Sequence, residues 1–133
     1  MKKIEHIGIA VKNLNEANAL YQKLLGIAPY KTELVKQEGV KTSFFKLGDS
    51  KIELLEATDD QSAIAKFILK KGEGMHHIAF EVENLDSEIK RLEKEGFTII
   101  NNVPKRGADN KLVVFLHPKS TNGVLIELCQ EIQ

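Results

Sequence analysis

The chain of 133 residues has a single cysteine, no excess charge of either sign and no long apolar run. Each shortage excludes something. Cys129 has no partner for an internal disulfide, so a reducing, cytoplasmic setting is expected. Nineteen Lys+Arg balance nineteen Asp+Glu, giving a formal net charge of +0. That balance lacks the basic footprint of a nucleic-acid binder. No apolar run approaches the ~18 residues of a membrane span, so no membrane partner is expected either. The opening Met1-Lys2-Lys3-Ile4-Glu5-His6 leads into no long apolar segment of the kind a secretory leader carries. What is present is 42% hydrophobic and 29% charged, the composition of an ordinary globule. A chain of this length buries roughly two-thirds of its unfolded surface, enough for a core without staples.

The informative feature is an internal repeat. Residues 5–14 read EHIGIAVKNL and residues 76–85 read HHIAFEVENL. At this offset His6 matches His77, Ile7 matches Ile78, Val11 matches Val82, Asn13 matches Asn84 and Leu14 matches Leu85. A helical pattern ending in glycine follows each copy, with Asn15 and Asp86 as expected N-caps and Gly26 and Gly96 as expected stops. Three strand-like runs come next: about 29–37, 40–47 and 50–57 in the first copy, and about 97–103, 111–117 and 123–130 in the second. Residues 59–72 carry Ile64, Phe67 and Ile68 at helical spacing. The expected chain is a single α+β domain of two tandem βαβββ modules, 1–57 and 74–133, joined by a linker helix within 58–73. Two copies are too few for a solenoid, so a curled mixed sheet sharing one core is the expected arrangement.

Strand parity then assigns faces. Ile7, Ile9 and Val11 share one face of the first strand, while His6 lies on the other beside Gly8 and Ala10. In the second copy Ile78, Phe80 and Val82 oppose His77 and Ala79. Glu127 opposes Ile126 and Leu128, and Glu53 opposes Ile52 and Leu54. A carboxylate within an apolar strand is costly unless paired or coordinated. A lone strand histidine is usually structural, and a lone strand glutamate usually faces water at an edge. Here both recur in both copies with the same parity. If the two modules curl around one cavity, two imidazoles and two carboxylates meet, a donor set suited to a divalent first-row metal. Four such ligands leave two octahedral positions open for a bidentate substrate.

The repeat, with histidine on the first strand and glutamate on the fourth of each copy, resembles the vicinal oxygen chelate superfamily of the glyoxalase fold. The segments HIGIAV at 6–11, LGDSKIELLEA at 47–57, GMHHIAFEV at 74–82 and FLHPKSTNGVLIEL at 115–128 are similar, within it, to the methylmalonyl-CoA epimerase family. The resemblance implies an isomerase with metal ligands His6, Glu53, His77 and Glu127, and methylmalonyl-CoA as its substrate. It also implies a divalent ion, Co2+ first and Mn2+, Ni2+ or Zn2+ as alternatives, and a homodimer. Glu127 would double as ligand and catalytic base, with Glu53 as the symmetric candidate for the second base. Some members carry an acid on the strand matching 40–47, where this chain has Thr42, with Glu38 the nearest acid upstream. Two rivals share the fold: a glyoxalase I-type metalloenzyme and a metal-free sequestering or resistance protein.

Other polar residues carry weaker signals. Lys105, Arg106 and Lys119 are candidates for the phosphates of coenzyme A, although loop lysines are usually only solvated. His76 has the parity opposite to His77 and is expected to face helices or solvent. His117, just before Pro118, is expected to cap or shape a loop. Cys129 shares parity with Glu127 and is expected to be a small buried side chain rather than a nucleophile.

Overall fold

The computed structural model describes residues 1–133. The strands are β1 (Lys3–Ala10), β2 (Lys31–Val35), β3 (Val40–Leu47), β4 (Ser50–Ala57), β5 (Gly74–Glu81), β6 (Lys105–Gly107), β7 (Lys111–Leu116) and β8 (Ile126–Glu131). The helices are α1 (Leu14–Leu25), α2 (Ala63–Lys71) and α3 (Leu85–Lys94). The expected order, β-α-β-β-β twice with a helix between, is the order observed. No helix is long and apolar enough to cross a membrane. The chain forms two compact units, Met1–His6 with His77–Gln133, and Ile7–His76. Their borders differ from those of the repeat, because the start of β1 belongs with the second copy.

In the unit of Met1–His6 and His77–Gln133 the strand order is β1-β5-β8-β7-β6. Strand β8 runs parallel to β5, with Ala79 opposite Glu127, and antiparallel to β7, with Phe115 opposite Glu127. Helix α3 buries Leu85, Ile89 and Leu92 against Val82, Val114 and Leu128. Their i, i+4, i+7 spacing is that of one helical stripe. On the other face of these strands Ala79, Val113 and Cys129 pack with Phe115. His77 and Glu127 have the parity of that second face, away from the helix.

In the unit of Ile7–His76 the order is β2-β3-β4-β1. Strands β3 and β4 form an antiparallel hairpin with Phe44 opposite Glu53 and Phe45 opposite Ile52. Helix α1 packs on Phe45, Leu54 and Val11 through Leu14, Ala17 and Tyr21. Glu53 has the opposite parity to Ile52 and Leu54 and so belongs to the face without the helix, as the alternation predicts.

Local expectations need three corrections. The N-caps are Asn13 and Asn84, whose side chains accept from the backbone N–H of Glu16 and Ser87, rather than Asn15 and Asp86. The strand expected over 97–103 is reduced to one bridge, Ile99 opposite Leu116. Two backbone bonds hold it, Ile100 N–H to the Phe115 carbonyl and His117 N–H to the Thr98 carbonyl. Pairing resumes only at β6, beyond Pro104, which has no N–H to offer a ladder. The run 29–37 is cut to Lys31–Val35 by a 3-10 turn over Lys36–Glu38, closed by Gly39 at φ 64°. Gly26, expected as a stop, does end α1 in the left-handed conformation at φ 73°.

Candidate metal centre

Three of the four ligands expected from the sequence converge. His6 Nε2 lies 3.0 Å from His77 Nε2. Glu127 Oε1 lies 3.3 Å from His77 Nε2 and 3.7 Å from His6 Nε2. The imidazole planes stand at 87°, with centroids 5.1 Å apart. All three residues are buried, at 4%, 6% and 6% exposure. The register explains the approach. Glu127 sits opposite Ala79, whose single methyl leaves space, and His77 is two residues before Ala79 on the same face. Phe115, opposite Glu127 on β7, meets the His77 ring edge-on at 6.1 Å.

The donor set fits a divalent cation. Imidazole nitrogens and carboxylate oxygens bind such ions at about 2.0–2.2 Å, which puts donors about 3.0 Å apart at a right angle and about 3.4 Å apart in a tetrahedron. The observed 3.0 and 3.3 Å fall within this range and 3.7 Å lies a little above it, a small movement of Glu127 from fit. All three candidate ligand atoms lie within 4.8 Å of one another. Electrostatics agree. Burial alone pushes the Glu127 carboxyl up, but the His6 and His77 imidazoles more than offset this and hold it below its ordinary value. Glu127 is therefore a carboxylate at neutral pH, as a ligand must be.

The fourth expected ligand, Glu53, is buried on β4 in the other unit, at 4% exposure. Thr42 is fully buried on β3, opposite Leu55, and its hydroxyl has no hydrogen-bond partner. Lys105 and Arg106 form part of the short edge strand β6 and are exposed, with Arg106 reaching Asn110 at 3.3 Å. Lys119 is exposed in the 3-10 turn Pro118–Ser120. His117 caps that turn, accepting the Lys119 N–H on Nδ1 at 3.1 Å. His76 packs edge-on against Phe67 of α2 at 4.9 Å. The Cys129 thiol is buried and points to the Phe80 carbonyl.

One residue at the centre is absent from the sequence-based expectation. Glu5 is 2% exposed and its Oε1 lies 2.6 Å from His6 Nδ1. The available signal is a carboxylate within a strand of apolar residues, part of the signal that singles out Glu53 and Glu127. Its counterpart in the repeat is His76, so the twofold pattern does not mark it.

Comparison with known proteins places these features in a family. A sequence model of the Glyoxalase/Bleomycin resistance protein/Dioxygenase superfamily matches residues 5–115, and the chain belongs to that superfamily. Within it, the similarity runs to the methylmalonyl-CoA epimerases. The mitochondrial methylmalonyl-CoA epimerase of Homo sapiens is 40% identical over 129 residues, 96% of this chain and 73% of the relative. The ethylmalonyl-CoA/methylmalonyl-CoA epimerase of Cereibacter sphaeroides is 39% identical over 130 residues, 96% of this chain and 97% of the relative. A solved methylmalonyl-CoA epimerase in complex with methylmalonyl-CoA and NH4+ superposes with a TM-score of 0.95 at 34% identity, covering 98% of this chain and 95% of that one.

Proposed function

We infer that the chain is an isomerase interconverting (R)- and (S)-methylmalonyl-CoA by moving the proton at C2. The observation that carries the reading is the convergence of His6, His77 and Glu127 in a chain 40% identical to a methylmalonyl-CoA epimerase over 96% of its length. In the repeat Glu53 is the counterpart of Glu127, and the proposal gives it the fourth ligand position. These residues would hold a divalent ion, Co2+ first among the choices, which would supply Lewis-acid charge for the enolate formed from the substrate. Thr42 stands where some superfamily members carry an acid, so Glu53 is also the proposed second base.

The chain's own part is proton handling and exclusion of water. Glu127, ionised and nearly out of reach of solvent, accepts the proton from C2 and leaves the electron pair on the carbon–thioester unit. For this step Glu53 would start as the neutral acid, released from the ligand position, and give its proton to the opposite face to form the other epimer; exchange with water then removes the proton left on Glu127 and restores the one on Glu53, and the reverse reaction exchanges the two roles. Lys105, Arg106 and Lys119 are the proposed cations for the coenzyme A phosphates. The proposed assembly is a cytoplasmic homodimer, consistent with the free thiol of buried Cys129, with one site inside each chain.

The test is interconversion of the separated epimers by protein stripped with chelator and then reconstituted with Co2+, Mn2+, Ni2+ or Zn2+. Turnover that vanishes on stripping and returns with metal supports the reading. Turnover of a glutathione hemithioacetal in its place would assign the site to glyoxalase chemistry, and absence of any metal affinity would favour a sequestering module.

A further inference from the structure

Glu5 is a carboxylate with 2% exposure in a strand that also carries Ile4, Ile7 and Ile9. Burying such a group is unfavourable unless a partner uses it. The partner is the adjacent ring: Glu5 Oε1 lies 2.6 Å from His6 Nδ1, within the range of a charge-assisted bond. The other nitrogen of the same ring, Nε2, is the one that meets His77 Nε2 and Glu127 Oε1. The two nitrogens of His6 therefore face different tasks. An ionised carboxylate only accepts, so its neighbour Nδ1 must carry the proton. When a cation takes the place of the second ring proton, an imidazole that keeps its proton on Nδ1 offers the lone pair of Nε2, the atom aimed at the proposed cation.

We propose that Glu5 is a positioning residue that holds the His6 proton on Nδ1 and fixes the ring orientation, so that Nε2 is the nitrogen presented to the metal. The inference rests on the reading of His6 as a ligand. Outer partners of this kind typically contribute 10–100-fold to metal affinity. Glu5 itself does not bind the ion in this account.

The test uses the full chain, stripped with chelator and titrated with Co2+ by calorimetry, in the parent and in Glu5→Leu, Glu5→Gln and His6→Ala. Glu5→Leu leaves the buried His6 Nδ1–H without its acceptor, so the metal-free variant is expected to melt lower than the parent, and its fold is checked by circular dichroism before titration. Its Co2+ affinity is expected to fall about 10–100-fold. Glu5→Gln keeps an acceptor oxygen and is expected to lose only about 3–10-fold, since the bond is no longer charge-assisted. The ring-nitrogen NMR shifts of His6 should report Nδ1–H alone in the parent and a tautomer mixture in Glu5→Leu. That readout does not move for a residue that merely fills space. A Glu5→Leu affinity within about twofold of the parent overturns the proposal while leaving the metal site intact. A Glu5→Gln variant as weak as His6→Ala also overturns it, because Glu5 would then be a ligand itself. Should Glu5→Leu fail to fold, Glu5→Gln decides: the intermediate loss supports the proposal and parent-like affinity overturns it. Failure of the parent to bind Co2+ overturns this inference together with the functional reading beneath it.

Discussion

Glu127→Gln isolates the proposed base. The substitution keeps the side-chain length and one oxygen but removes the charge. In the structure that charge sits 3.3 Å from His77 Nε2 and 3.7 Å from His6 Nε2, with the residue 6% exposed. Bulk water has little room to substitute for it. A neutral amide cannot take the C2 proton, and loss of a general base lowers turnover by about 10²–10⁴-fold. That corresponds to about 3–5 kcal/mol of activation free energy, at 1.36 kcal/mol per decade. The amide is also a poorer ligand, so Co2+ must be titrated to a plateau before rates are compared. The assay is epimer interconversion at saturating metal over a range of substrate concentrations. Expected is a fall in kcat of the stated size with KM changed by less than about threefold, because the interaction removed is one made in the transition state. A kcat within about tenfold of the parent at saturating Co2+ would refute the base assignment.

Three further outcomes concern the scaffold. Leu128 is fully buried between α3 and Val114, so Leu128→Ala should cost about 2–5 kcal/mol in urea unfolding. Asn84→Ala removes the cap on the Ser87 N–H and should lower stability by about 1 kcal/mol, while Asp86→Ala should cost clearly less. Glu88 is bonded to the Arg91 side chain and paired with the terminal ammonium; these outweigh its partial burial and hold its carboxyl below the ordinary value. A lowered folded-state value stabilises the fold above the unfolded-state value, and that contribution is lost as pH falls through the folded one. Glu88→Gln should therefore destabilise at pH 7 by less than about 1 kcal/mol, a difference that shrinks in high salt and disappears in acid.

The convergence of His6, His77 and Glu127 was legible in the sequence because two independent periodicities agree on it. The offset that pairs His6 with His77 and the alternation that puts Glu127 opposite Ile126 and Leu128 are both properties of extended backbone, and the structure brings these three side chains together. Glu5 escapes both. Alternation sends it to the face opposite His6, yet a glutamate is long enough to return to the neighbouring ring, and the repeat holds a histidine at its counterpart. The helix starts were misplaced by two residues although Asn13 and Asn84 are among the identities of the repeat. An N-cap is set by which side chain reaches the N3 N–H, and several polar residues compete near each start. The run 97–103 reads as a strand by composition, but Asn101, Asn102 and Pro104 follow Ile99 and let only one bridge form. The partner strand, not the run itself, decides how far pairing extends.

The proposed reaction turns on metal-dependent proton removal at C2. Its most direct measurement is mass spectrometry of a single epimer of methylmalonyl-CoA incubated with the protein in D2O. One deuterium should enter at C2 and appear in both epimers, with entry blocked by chelator and restored by Co2+. Retention of the C2 hydrogen, or exchange that continues unchanged after chelation, would contradict it.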